Sequence, residues 1–371
     1  MKKDEKIFDV LIADASVSGH HIYYNTILLC GLNSRINISI LSSQKSQYSG
    51  YHSFGFHFFE TNRLIKNINY LFFVVSSFYL AKRKKIDIIH FISGDDFIFP
   101  LSIVITISKI FFKRIKIYIT FHWFYNSNKR NYIIKQLSNK KNIEFVFHSD
   151  LIQQKYIDYG ISKLKSHVIN YPIKKPVLVE KYECRKVLGI GETEKVLLLY
   201  GSLRYDKGID LALNSLSLTN SKPLLLIVGQ EKYFTDKIIN KIAGQYNVTS
   251  RIRFDKGFIP EEKVPYYFGA CDAVLIPYRN YFGGQSGILF DAVTYNKPVI
   301  AAAIEHIKIE VINYNLGLLF TPESTDEMAK RIDDFFSGEP NEYINVNSRG
   351  RFLDEHNSEQ FIDKHYYLYT G

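Results

Sequence analysis

Short apolar runs alternate with segments of helical period along most of the chain. In the first half the runs are "FDVLIAD" (8–14), "INISILS" (36–42), "IDIIHFI" (86–92), "IKIYITFH" (115–122) and "IEFVFHS" (143–149). Runs of this length, apolar on both faces and rich in β-branched residues, predict strands buried in a parallel sheet covered by helices. The same rhythm restarts after Pro172, Lys174, Lys175 and Pro176, which read as a linker. There "KVLLLYGS" (195–202), "KPLLLIVG" (222–229), "RIRFDKGF" (251–258), "DAVLIPY" (272–278), "KPVIAAA" (297–303) and "LGLLFTP" (316–322) predict six more strands. Helices are expected between them near 207–217, 233–246, 261–271, 286–296 and 325–337. The pattern predicts an α/β chain with two Rossmann-like domains. An N-terminal domain is expected over 1–173 and a second over 174–355, with 356–371 forming a helix that packs back on the first.

The length of 371 residues and a hydrophobic fraction of 46% fit two domains with sizeable cores. The charge is unevenly spread. Residues 1–175 carry 25 Lys/Arg against 11 Asp/Glu, a balance of +14, whereas residues 176–371 carry 22 against 26, a balance of −4. Nucleic acid, anionic lipid or a phosphorylated substrate could each explain a basic half. No zinc spacing, RNP-like aromatic pattern or recognition-helix signature is present, so no nucleic-acid partner is expected. The cluster "KRKK" (82–85) and Lys109, Lys113, Arg114 and Lys116 stand beside aromatic and aliphatic residues, a mixture suited to an anionic membrane surface.

Cys30, Cys184 and Cys271 are scattered and odd in number, as in a reducing compartment. Asp9 and Asp14 interrupt the first apolar run, which therefore reads as a strand rather than a signal peptide. Pro100 and Lys109 break the longest apolar stretch. The expected location is the cytoplasm, with a peripheral place on the inner face of the cell membrane.

Ligands of open parallel sheets bind beyond the carboxyl ends of the strands, so chemistry is sought in the residues just after each strand. "YGSLRYDKG" (200–208) follows one strand and opens a helix. Gly201 allows a tight turn and close approach of a ligand. Arg204 and Lys207 place two cations near a helix start, where the helix dipole opposes them. An anion between them, such as a diphosphate, would resolve that conflict. A plain turn with surface charges is the alternative.

The second stretch is "YFGGQSGILFDAVTYNKPVIAA" (281–302). Glycines at 283, 284 and 287 free the backbone beside Gln285, and the amides of Ser286, Gly287 and Ile288 would be open donors at the start of a helix. Such a start is a ready anion site. Asp291, one turn further on the same face, could accept hydrogen bonds from a ribose beside the phosphate. An exposed Asp after a Gly-rich turn is the alternative.

Taken in order and at their spacing, "YGSLRYDKGID", "IRFDKGFIP" followed by "YYFGACDAVLIPY", and "QSGILFDAVTYNKPVIAA" resemble the retaining glycosyltransferases of the GT-B fold, family 4, also called glycosyl transferases group 1. The resemblance is strong over about 195–330, with weaker echoes at Gly19 of "SGHH", His122 of "TFHWF" and "VINYPI". It implies two Rossmann-like domains facing each other across a cleft, with the acceptor on the N-terminal domain and the nucleotide sugar on the C-terminal one. It also implies that Lys207, joined by Arg204, grips the donor diphosphate and that Asp291 holds the ribose in place of the usual Glu.

The same resemblance implies that Phe258 and Ile259 form the nucleobase strip through their backbone. Gly19 would lie near the diphosphate and acceptor, and His122 would hydrogen-bond the transferred sugar. Two departures stand out. Ser202 occupies the place where the family usually has arginine, and Gly283 the place of the carboxylate that reads the donor sugar. The implied reaction moves a sugar from a UDP- or GDP-linked donor to a glycan or lipid-linked acceptor with retention of configuration. No metal or other cofactor is expected beyond the nucleotide sugar as co-substrate. Residue usage rich in Ile, Lys, Asn, Tyr and Phe fits surface polysaccharide biosynthesis. A nucleotide-sugar epimerase of the same fold and a catalytically silent partner subunit are the alternatives.

Overall fold

The computed structural model describes residues 8–15, 20–43, 45–57, 63–107, 114–124, 127–338, 343 and 346–371. The chain divides into two compact units: unit 1 is residues 1–172 together with 356–371, and unit 2 is residues 173–355.

Unit 1 is built on seven strands: β1 (Asp9–Asp14), β2 (Asn37–Ser42), β3 (Ser53–Gly55), β4 (Ile88–Phe91), β5 (Lys116–Phe121), β6 (Ile143–Phe147) and β7 (Ser166–Val168). They lie in the order β3-β2-β1-β4-β5-β6-β7, every pair parallel. The five runs expected in this half are all strands, and β3 and β7 add short edges. Side chains alternate across the sheet as the period of two requires. Leu11 and Ala13 enter a core with Phe73, Phe97, Leu101, Phe121 and Phe147, while Val10 and Ile12 enter the opposite core with Tyr24, Leu28, Phe361 and Tyr369.

The last helix, Ser358–Thr370, belongs to this second core. Asn357 caps it by accepting from the Gln360 amide at 2.7 Å. His365 Nε2 and the Tyr24 hydroxyl are 3.2 Å apart, and His90 joins the Tyr369 hydroxyl at 2.6 Å and Thr120 Oγ1 at 2.7 Å. Burial lowers the pKa of both histidines, to about 3 for His365. His90 is thus a neutral structural residue inside unit 1.

Unit 2 carries the six expected strands: β8 (Val196–Tyr200), β9 (Leu224–Gly229), β10 (Ile252–Lys256), β11 (Ala273–Ile276), β12 (Val299–Ala302) and β13 (Gly317–Phe320). Their order is β10-β9-β8-β11-β12-β13, again all parallel. Chain order reverses between β8 and β11, the topological switch point where open sheets of this kind hold their ligands. Lys181–Leu188 is a helix ended by Gly189 in the left-handed region, and it buries Cys184 and Arg185. Arg185 is anchored to Asp272 and to the Ala270 carbonyl.

Candidate functional site

The two stretches singled out in the sequence follow β8 and β11, the strands on either side of the switch point in unit 2. Their loops are held together by backbone contacts. Gly208 has φ +65°, and a Cβ on it would lie 2.0 Å from the Pro277 carbonyl oxygen, so only glycine fits. At the neighbouring strand end, a Cβ on Gly229 would lie 1.9 Å from the carbonyl oxygen of Gly201. The Arg279 amide donates to the Asp206 carbonyl at 2.9 Å.

Lys207 is not a surface charge. It is only 9% exposed, and its Nζ sits 3.6 Å from the ring centroid of Tyr278 and 4.8 Å from that of Phe282. The ring faces attract the ammonium. Burial, with a smaller contribution from the like charge of Arg204, nevertheless lowers its pKa to about 7. Arg204, by contrast, is turned to its own loop: its fork clasps Asp206, with Nε–Oδ1 at 2.9 Å and NH2–Oδ2 at 2.5 Å.

The predicted helix start is Gly287–Thr294, slightly shorter than the span 286–296. Ser286 is its cap. Its Oγ accepts from the Leu289 amide at 3.3 Å and donates to the Tyr278 hydroxyl at 3.3 Å. Tyr278 thus touches both the Lys207 ammonium and the residue that opens the helix. The first-turn amides of Gly287 and Ile288 have no intrahelical acceptor, as in any helix. Asp291 is half-buried near Tyr200, Tyr278 and Tyr295, and loss of solvation raises its pKa to about 7. Gln285 and Ile288 are half-buried beside the cap. Phe258 and Ile259 follow β10, two strands from β8, and Phe258 is 85% exposed.

Sequence reasoning missed Arg279, which ties the site together. Its NH2 meets Asp210 Oδ2 at 2.6 Å, its Nε donates to the Tyr205 carbonyl at 3.1 Å, and its guanidinium stacks 3.9 Å from the Tyr205 ring centroid. The signal was its position, a charge three residues beyond β11 at the switch point. Arg279→Met should cost about 2–3 kcal/mol of unit 2 stability in urea unfolding, because Asp210 loses a charged partner. An unchanged midpoint would show that the clasp holds nothing.

In unit 1 the corresponding strand ends gather histidines. Asp14, at the end of β1, accepts from Asn25 Nδ2 at 2.6 Å and Ser93 Oγ at 2.6 Å, and lies 3.3 Å from His21 Nδ1. Burial works against a charge on His21, but the hydrogen bond and charge of Asp14 outweigh it and raise the pKa. His122, just past β5, donates from its backbone amide to Asp95 Oδ2 at 2.6 Å and from Nε2 to the Ile92 carbonyl at 2.9 Å. Its ring lies 4.9 Å from that of His21 and 4.7 Å from that of His148. Burial pushes the Asp95 pKa up to about 7, against the His122 amide and Arg130. It pushes that of His148 down to about 4. Gly19 and the Lys109 and Lys113 of the basic cluster lie outside the described residues, and Lys116 is engaged by Glu144.

Two all-parallel Rossmann-like sheets in one chain, the second with a buried cation and a capped helix start at its switch point, define the GT-B class of fold. Solved structures agree. The chain is similar to sucrose-phosphate synthase from Thermosynechococcus elongatus, with a TM-score of 0.77 at 18% identity over 98% of both chains. It is also similar to Anabaena HepE in complex with UDP, with a TM-score of 0.79 at 16% identity over 97% of this chain and 99% of the other. HepE has also been solved with UDP-glucose. An uncharacterized glycosyltransferase of Methanocaldococcus jannaschii is 22% identical over 163 residues, and the match spans 43% of this chain but only 40% of that relative's length. Residues 180–364, about half of the chain, match the family model glycosyl transferases group 1, and through this domain the chain belongs to that family of transferase enzymes.

Proposed function

We propose that the protein transfers a sugar from a nucleoside diphosphate sugar to a glycan or lipid-linked acceptor, with retention of configuration at the anomeric carbon, in surface polysaccharide biosynthesis. The observation that carries this reading is the buried Lys207, which shares Tyr278 with the cap of the Gly287–Thr294 helix at the switch point of unit 2. When the glycosidic bond to the nucleotide breaks, negative charge accumulates on the departing phosphate. A fixed ammonium and first-turn amides stabilise such a charge without reorganising. They can do so without a metal ion, and the acceptor proton can pass to the leaving phosphate. Among the described residues no group of three or more His, Cys, Asp or Glu side chains could hold a metal.

Asp291 is the residue to which we assign the ribose hydroxyls, with the backbone around Phe258 and Ile259 beside the base. Arg204 joins the diphosphate by exchanging Asp206 for it, so that the Asp206 carboxylate and the diphosphate compete for one guanidinium. In unit 1, His122 takes the hydrogen bond to the transferred sugar. UDP and UDP-glucose bound by the Anabaena protein support a uridine donor.

Thermal-shift measurement against nucleotides tests the reading. A nucleotide at about 100 times its Kd should stabilise by about 2.7 kcal/mol, some 5–10 °C for a unit of this size. UDP or GDP should give this shift and AMP should not. Equal, negligible shifts for all diphosphates would remove the donor site.

A further inference from the structure

Two helices in unit 1, Arg63–Lys84 and Gly94–Ile107, pack against each other and send one face of each into the core that holds Leu11, Phe91 and Phe121. Their outer faces are apolar as well. On the first, Ile68, Phe72, Val75 and Tyr79 are all exposed, Tyr79 by 65%. At about 100° per residue these four fall within a stripe roughly 60° wide. On the second, Phe99, Ile103 and Ile107 repeat every four residues, and Ile103 is 50% exposed. A soluble surface helix normally puts polar residues on this face.

Outside the first turn of the second helix, every charged residue of the two helices is basic. The 22 residues of the first helix include no Asp or Glu, and its last turn carries Lys82, Arg83 and Lys84, all exposed. Lys129 lies 5.5 Å from the ring centroid of Phe99. The carboxylates of the second helix, Asp95 and Asp96, are confined to its first turn, at the end away from Ile107.

We infer that this two-helix face of unit 1 docks on an anionic lipid surface, with the aromatic and aliphatic side chains in the interfacial region and the Lys82–Lys84 cluster on acidic headgroups. In an isologous pairing the first helix, with five Lys/Arg and no carboxylate, would meet its own copy, which argues against self-association here. No helix among the described residues is long and apolar enough to cross a membrane. The inference rests on unit 1 alone and is independent of the sugar-transfer reading, since its test uses no nucleotide.

The test is flotation of the full chain with phosphatidylcholine vesicles, with or without phosphatidylglycerol. The chain should float with the anionic vesicles at least about tenfold better than with neutral ones, and high salt should release it. Lys82→Glu/Arg83→Glu/Lys84→Glu should lower partition on the order of 100-fold. Phe72→Ser/Ile103→Ser should also lower it while leaving the thermal midpoint in place. The charge variant, altered only at exposed positions, keeps the test decisive if the apolar one fails to fold. Equal flotation with both vesicles, or none with either, overturns the inference. So does a dimer in sedimentation that Phe72→Ser/Ile103→Ser dissolves, because the face would then belong to a second copy.

Discussion

Lys207→Met should lower turnover on a nucleotide-sugar donor on the order of 100-fold, the effect of removing one preorganised charge stabiliser. The same substitution should not lower the thermal midpoint. The ammonium is buried over Tyr278 and Phe282, and among the described residues no carboxylate is hydrogen-bonded to it, so the folded state carries its desolvation cost. A straight apolar chain of similar length fills the same space. Activity and stability should therefore separate in this one variant, as measured by initial rates beside a thermal melt. A folded variant with unchanged turnover would remove Lys207 from the diphosphate.

Nucleotide affinity should peak near pH 7 and fall on either side. Burial and then Arg204 hold the Lys207 pKa at about 7 in the free protein, and a bound diphosphate would raise it. The protonated form is the one that binds, so above pH 7 each unit should weaken binding by up to about tenfold until the bound-state pKa is reached. On the acid side, Asp291 also titrates at about 7 because of its desolvation, and it loses an acceptor as it takes up a proton. The second ionisation of a terminal phosphate, near pH ~6, adds to that limb. Isothermal titration with UDP across pH, in buffers of different ionisation enthalpy, should show proton uptake on the alkaline limb. Lys207→Met should flatten that limb, and Asp291→Asn should flatten the acid limb without abolishing it. An alkaline slope that survives in Lys207→Met would assign the titration to another group.

The main strands of both sheets were legible because each is a continuous apolar run, and a fully buried parallel strand leaves that trace. β3 and β7 were not, since strands of three residues carry no periodicity. The helix Glu305–Tyr314 escaped because "EHIKIEVINY" mixes β-branched residues with charges, and tertiary packing rather than propensity sets its form. The two loops were found because sheet topology makes strand ends informative. What the sequence could not show was the state of their charges. Lys207 is buried by Tyr278 and Phe282, some seventy positions later, and Arg204 is occupied by a carboxylate two residues on. The histidine cluster near the ends of the unit 1 strands was equally hidden, because only the fold brings the rings of His21 and His148 each to within 5 Å of that of His122.

The helix Ser358–Thr370 gives unit 1 a discontinuous chain, and this orders its assembly during synthesis. Unit 2 is one uninterrupted stretch and can close as soon as it leaves the ribosome. Unit 1 is made first, yet the sheet face around Tyr24, His90 and Tyr118 has to wait through the making of more than 180 further residues for Phe361, His365 and Tyr369 to cover it. At about 5–20 residues per second that interval is roughly 10–40 s. The half of the molecule born first is therefore the half finished last.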